Sequence, residues 1–363
     1  MRMKLLGLGT ATPGDPIPQG ELYELARLHN AHGRAEGRRL ERIYRGTKVN
    51  QRYSALGVAR NGAPGGIQNL VDFYGRSTFR EPRGTRRRMA AYREHALPLA
   101  AQAGRNALRN SATRPDEITH LVTVSCTGFD APGIDLGLIG TLGLDASVAR
   151  THIGFMGCHG AINGLRVADA FARSDPGARV LLCCVELCTL HFQYGNDPQD
   201  AVANAIFGDG AAAAVCGVTD NPSSPSTRAF YSKQIASTEA LMAWAITDDG
   251  FRMRLDSRVP DTVRSQLGDA IGDWLDRHGL SCPIIGGWII HPGGPKIIDA
   301  VESALGLPTD AARLSRDVLR DFGNMSSPTV LFIIDQHLRQ GVPRPWVVLG
   351  FGPGLVIEAV LIG

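Results

Sequence analysis

The 363-residue chain is predicted to fold as a layered α/β protein, on three observations. Residues 120–126, 180–186 and 211–218 are apolar runs without polar alternation, as expected of strands covered on both faces. Segments with helical spacing follow such strands, and the alternation resumes in the second half of the chain. The two halves also rhyme: a glycine turn, a polar residue and then a helix occur at Cys158 and again at Asn324.

Residues 20–45 read as a helix, and 57–88, rich in Gly, Pro and Arg, as an extended loop or flap. Residues 95–110 are rich in alanine and leucine and read as a helix. After Cys158, the spacing of Ala161, Leu165, Ala168 and Ala172 predicts a helix with one apolar face. Residues 283–291 form a strand running into the turn Pro292-Gly293-Gly294, and 295–305 a helix with proline near its start. Ser327-Pro328 opens a helix through Leu338, and 345–361 gives two strands around Gly350-Phe351-Gly352-Pro353-Gly354. The rhyme suggests two halves, 1–218 and 219–363.

With 44% hydrophobic and 20% charged residues the composition is that of a soluble globular protein. No run is long and apolar enough to span a bilayer, and the first residues lead into glycines and prolines, so the expected location is cytoplasmic. Seven cysteines is an odd number, and Cys126, Cys183, Cys184, Cys188 and Cys216 sit in apolar, strand-like surroundings that suit reduced thiols. Without a Cys-x-x-Cys pair, no metal site is expected. The net charge of +3 hides an asymmetry: residues 1–93 carry 18 Lys and Arg against 7 Asp and Glu. Such a basic segment suits a solvated face, nucleic acid, anionic lipid or a phosphorylated small substrate.

The chemistry concentrates in three segments. Cys158 lies in Gly154-Phe155-Met156-Gly157-Cys158-His159-Gly160 ahead of a helix, where free N–H groups favour a thiolate. His291 ends an apolar strand against a glycine turn. Asn324 lies in Gly323-Asn324-Met325-Ser326-Ser327, where Ser327 and Pro328 suit the helix start and leave the asparagine free. A thiol nucleophile with imidazole and amide donors is the equipment for acyl transfer through a stabilised oxyanion.

These segments, with Phe207-Gly208-Asp209-Gly210, His291-Pro292-Gly293-Gly294 and Gly350-Phe351-Gly352-Pro353-Gly354, resemble the type III polyketide synthases, the chalcone-synthase-like branch of the thiolase superfamily. The likeness runs from about residue 5 to the C-terminus. It implies a thiolase-like fold of two similar halves in αβαβα layers, a homodimer, acyl-CoA and malonyl-CoA as substrates, and no acyl carrier protein or further cofactor. It also implies that a starter acylates Cys158, that His291 and Asn324 hold the thioester oxygen during decarboxylation, and that the enolate extends the chain before cyclisation.

By the same resemblance Phe207 falls on the gatekeeper phenylalanine, whereas Met253 replaces the second gatekeeper ring. Arg39 and Arg42 fall on residues that grip CoA phosphates. The third basic position falls on Gly46, flanked by Arg45 and Lys48. Along the cavity, Cys126 replaces a threonine, Ala131 a methionine that reaches across the dimer, His191 a threonine, and Ala203 and Trp244 glycines. The expectation is a bacterial-type enzyme taking medium or long fatty acyl-CoAs and making an alkylpyrone or alkylresorcinol. A β-ketoacyl-ACP synthase III would share the three residues but perform one condensation. The run from Arg83 to Arg88 raises the alternative of nucleic-acid binding, though it lacks interleaved aromatics.

Overall fold

The computed structural model describes residues 2–31, 33–58, 65–75 and 84–363. The chain begins β1 (Lys4–Ala11), β2 (Ile17–Pro18), α1 (Gln19–Asn30), α2 (Arg34–Gly46), β3 (Gln51–Arg52), α3 (Ile67–Tyr74) and α4 (Thr85–Ser111). It continues through β4 (His120–Ser125), α5 (Ile134–Leu142), β5 (Ala149–Gly154), α6 (Gly160–Ser174), β6 (Arg179–Leu187), α7 (Pro198–Ile206) and β7 (Asp209–Gly217). The remainder is β8 (Thr227–Gln234), β9 (Met242–Thr247), β10 (Gly250–Leu255), α8 (Val259–Asp276), β11 (Gly287–Ile290), α9 (Pro295–Ala304), α10 (Arg313–Phe322), α11 (Thr329–Arg339), β12 (Trp346–Gly352) and β13 (Val356–Ile362).

Two mixed sheets organise these elements. The first has strand order β1-β7-β6-β4-β5, with β4 parallel to β5 and β6, and β1 and β7 antiparallel to their neighbours. The second runs β11-β12-β13-β8, with β11 and β12 parallel. Alternate side chains along a strand point to opposite faces, which explains how the layers form. On β6, Leu181, Cys183 and Val185 pack outward against α4, while Val180, Leu182 and Cys184 face inward. On β12, Val348 faces inward, and Val347 and Leu349 pack outward with residues of α8 and α9. The two inner faces share one core with α6 (Ala161, Leu165, Ala168) and α11 (Val330, Leu331, Ile334). The order is therefore helix, sheet, helices, sheet, helix: an α/β thiolase-like fold in five layers.

Several sequence expectations need correction. The stretch 57–88 is not an open loop where it is described: Ile67, Leu70, Val71 and Tyr74 recur at helical spacing and form α3, with Leu70 and Tyr74 buried. Residues 59–64 and 76–83 lie outside the described residues. Helix α4 starts at Thr85, ten residues earlier than expected, and runs through Pro98. Its Arg88 is fully buried and donates to the carbonyls of Leu190 and Phe192, so this end of the arginine run is interior structure. The helix expected over 20–45 is two helices, parted before Gly33, and the strand expected from 283 begins at Gly287 after a 3-10 turn containing Pro283. Helix α11 begins at Thr329, and Ser327 does not cap it; its hydroxyl donates to Glu186.

Candidate active site

Three chain turns converge where the inner helices begin. Cys158 sits in a single 3-10 turn, Gly157–His159, immediately before α6. The turn needs glycine at 157, where φ is +78° and an added Cβ would lie 2.5 Å from Pro353 Cδ. Cys126 holds it from behind, its sulfur accepting the Gly157 N–H at 3.1 Å. At Gly352 a Cβ would meet the His159 ring at 2.4 Å, so the glycine-rich ending of β12 lets the nucleophile turn seat against the second sheet. Asn324 precedes α11, the other inner helix. Its backbone is pinned to the Phe207 segment: Asn324 N–H donates to Ile206 O at 2.8 Å and Gly208 N–H to Asn324 O at 3.0 Å. The Ser326 N–H donates to Asn324 Oδ1 at 2.8 Å, and both ends of the amide lie beside Cys158 Sγ, Nδ2 at 3.9 Å and Oδ1 at 4.0 Å. His291 follows β11, and its N–H donates to Leu349 O at 2.8 Å.

Cys158, His291 and Asn324 line one cavity of about 570 Å³, with Phe207, Met253, Ile206, Phe351 and, toward the outside, Arg42 and Lys296. All three are buried, and neither ring nitrogen of His291 has a hydrogen-bond partner. Burial sets the charge states. It pushes the Cys158 thiol up to about 11, hydrogen bonding with Ser326 and Asn324 offsetting part of the rise. It pushes His291 down to about 3, with nearby His159 adding to the shift. Burial thus works against the thiolate that the helix start favours and against protonation of the imidazole.

The remaining residues fall into separate places. Phe207 and Met253 stand between the main cavity and an inner cleft of about 40 Å³ lined by His191, Ala203, Trp244, Phe251 and Cys188. His191 is locked at both nitrogens, Nε2 donating to Thr127 O at 2.6 Å and Nδ1 accepting from Phe251 N–H at 3.0 Å. It stacks on Phe251 at 4.3 Å, and burial depresses it to about 3. Trp244 closes over it edge-on and donates to Cys126 O at 2.8 Å. Ala131 is exposed and lines neither space. Of the four basic candidates, Arg42 reaches the cavity. Arg45 and Lys48 border a different groove, where Arg45 pairs with Glu41 at 2.7 Å, and Arg39 lines a third depression.

Two residues escaped the sequence reading. Lys296 shares the cavity mouth with Arg42; it lay beside the singled-out His291 turn. Glu186 is fully buried and accepts from Cys126 N–H, Thr127 Oγ1 and Ser327 Oγ, joining the ends of β4 and β6 to the Asn324 loop. Burial raises its carboxyl to about 7, against those hydrogen bonds. A carboxylate ending an otherwise apolar strand was the signal available. Among the described residues no group of three or more His, Cys, Asp or Glu side chains could hold a metal, and no helix is long and apolar enough to cross a membrane.

The chain matches the family models for the N-terminal domain of chalcone and stilbene synthases over residues 2–220 and for their C-terminal domain over 229–363. It belongs to that family. This type III polyketide synthase is 32% identical to an alpha-pyrone synthesis polyketide synthase-like protein, Pks18, of Mycobacterium tuberculosis, across 98% of this chain and 89% of that protein. It is 34% identical to 1,3,6,8-tetrahydroxynaphthalene synthase of Streptomyces peucetius, across 97% and 91%. The crystal structure of PKS-I from the brown alga Ectocarpus siliculosus superposes with a TM-score of 0.91 at 30% identity, covering 99% of this chain and 98% of that one. The synthase is accordingly a condensing acyltransferase, and its family works on CoA thioesters without a carrier protein.

Proposed function

We propose that Cys158 carries the growing acyl chain, with His291 and Asn324 as its partners, each half of the chain (1–218 and 219–363) contributing part of the site. The observation that carries this reading is their meeting in one cavity whose mouth bears Arg42. His291 takes the Cys158 proton as the sulfur attacks the starter thioester, a transfer that the bound substrate must favour against burial of both groups, and passes it to the departing CoA thiolate. Malonyl-CoA then loses CO2, the electron pair of the broken C–C bond becoming an enolate whose oxygen accepts from Asn324 Nδ2 and the His291 ring. The enolate carbon attacks the acyl group and the Cys158 thiolate leaves. Unpartnered donors in a buried cavity suit a charge that forms during reaction.

Arg42 and Lys296 at the mouth, with Arg39 one turn earlier on α2, suit the CoA phosphates. No cofactor beyond the thioester substrates is invoked. A homodimer is supported by β5, an edge strand with mostly unburied residues, and by exposed Phe129, Phe155 and Met156 beside it. The free state of all seven cysteines suits a reducing cytoplasm.

The inner cleft narrows the expected starter. About 40 Å³ holds a few water-sized spheres, and His191 and Trp244 are held in place by hydrogen bonds. A long alkyl chain does not fit behind Phe207 and Met253 in these positions. We therefore favour a short or medium aliphatic acyl-CoA, few extensions and a compact alkylpyrone or alkylresorcinol. Incubation with malonyl-CoA and acyl-CoAs of graded length, followed by mass spectrometry, tests this. Small pyrones or resorcinols from the shorter starters are expected. Dependence on a malonyl-carrier protein with a single condensation would replace the reading with that of a β-ketoacyl-ACP synthase III.

A further inference from the structure

Arg52 is 3% exposed, yet its donors are spent on neutral groups rather than on a carboxylate. Its Nε donates to Gln19 Oε1 at 3.0 Å, and one terminal nitrogen to Asn204 O at 2.8 Å and Phe207 O at 2.5 Å. The nearest acid, buried Asp209, is committed to Ala55 N–H and to the N–H and hydroxyl of Thr189. Asn204 is in the last turn of α7 and Phe207 directly follows it, so the guanidinium sits where a helix end leaves carbonyls open and its dipole is negative.

The aliphatic stem of Arg52 acts on the other side of the same junction. Gly323 has φ of +71°, and a Cβ there would lie 2.9 Å from Arg52 Cγ and Cδ; at Gly208 it would lie 3.4 Å from Arg52 Cβ. Residues 206–208 and 324 are the two stretches that hydrogen-bond to each other at the site. One side chain therefore grips the gate segment by its carbonyls and backs the segment that delivers the asparagine amide.

We propose that Arg52 is a positioning residue for condensation: by capping α7 and bracing Gly323 it fixes Asn324 Nδ2 and the Phe207 ring at the mouth of the inner cleft. The inference rests on the role given above to Asn324. Arg52 borders the inner cleft but is absent from the wall of the main cavity at Cys158, so its loss shifts the donor while leaving the thiol in place. A displacement of about 1 Å at a reacting group costs about 100-fold in rate.

The test compares Arg52→Met, which keeps the stem and removes the donors, with Gln19→Leu, which removes the Nε partner and the Gln19 Nε2 bond to Ala205 O at the same end of α7, and with Asn324→Ala as reference. Malonyl-CoA decarboxylation kcat, malonyl-CoA KM, alkylation of Cys158 by iodoacetamide and thermal unfolding are measured on each. Decarboxylation kcat is expected to fall about 10- to 100-fold in Arg52→Met, and by a smaller factor in Gln19→Leu, with KM and alkylation within about threefold of the parent. Arg52→Lys is expected to recover part of the loss. If Arg52→Met does not fold, Gln19→Leu decides by the same readouts. Alkylation and decarboxylation falling together would mean a structural role and overturn the proposal. So would unchanged decarboxylation in the Arg52 and Gln19 variants while Asn324→Ala loses it. Unchanged decarboxylation in Asn324→Ala would overturn the Asn324 role itself, and the inference with it.

Discussion

The Asn324 amide is held so that its orientation is not free, and this makes its contribution measurable. Ser326 N–H fixes Oδ1 at 2.8 Å, Ile206 O and Gly208 N–H fix the backbone, and Nδ2, 3.9 Å from Cys158 Sγ against 4.0 Å for Oδ1, is the amide's donor at the site. Replacing Asn324 by Ala removes that donor together with the Oδ1 acceptor of Ser326 N–H, while the backbone bonds to Ile206 and Gly208 remain. Removing one preorganised donor from an oxyanion site costs about 2.7–4 kcal/mol, or about 10²–10³ in rate. The cleanest measurement uses Cys158→Ala as parent, so that loading and extension are absent and release of CO2 from malonyl-CoA reports the enolate step. Cys158→Ala/Asn324→Ala is expected to decarboxylate about 10²–10³ more slowly than Cys158→Ala. Asn324→Asp in the same background places an acceptor and a negative charge where a donor stood, and is expected to be slower still. Rates within about threefold of the parent for both variants would refute the assignment, since a donor contributing that little is not stabilising the oxyanion.

Burial holds His291 near 3, far below its ordinary value, so its ring is neutral throughout the usual assay range. Glu186, raised to about 7, titrates inside that range, so the test uses Cys158→Ala/Glu186→Gln: its malonyl-CoA decarboxylation is expected to be flat between about pH 5 and 8, and a limb with a midpoint near an ordinary histidine at about 6.5 would contradict a neutral donor. Arg42→Glu is expected to raise KM for malonyl-CoA about three- to tenfold, most at low salt, whereas Arg45→Glu, on a separate groove and paired with Glu41, leaves it within about twofold. Equal effects in steady-state kinetics would move the phosphate site off the cavity mouth. Gly352→Ala forces a Cβ to within 2.4 Å of the His159 ring and is expected to cost about 1–3 kcal/mol in denaturant unfolding, with loss of Cys158 acylation; a fully stable variant would show that the turn can yield.

The features most legible in the sequence were those with a strong local cause. Buried strands announced themselves as unbroken apolar runs, and Cys158, His291 and Asn324 as polar residues at glycine turns. What escaped was set by distant contacts. Helix α3 is eight residues between glycines, and its apolar spacing has meaning because Leu70 and Tyr74 reach the core shared with α4. Burial by the whole fold, which raises the Cys158 thiol against the pull of the helix start beside it, could not be read locally. The role expected of Ser327 failed because a buried carboxylate 141 residues away takes its hydroxyl. Arg45 and Lys48 lie close to Arg42 in sequence, yet the end of α2 turns them toward another groove.

Cys158 and Asn324 are 166 residues apart, each at the head of one of the two helices enclosed between the sheets. Contacts so distant in sequence close large loops and form late relative to local structure. A chain emerging from the ribosome can complete the Cys158 turn long before His291 and Asn324 exist, and on the roles proposed above the oxyanion donors join the thiol only once the second half has folded. On those roles, the appearance of decarboxylase activity during refolding would mark the moment the two sheets close on their shared helices.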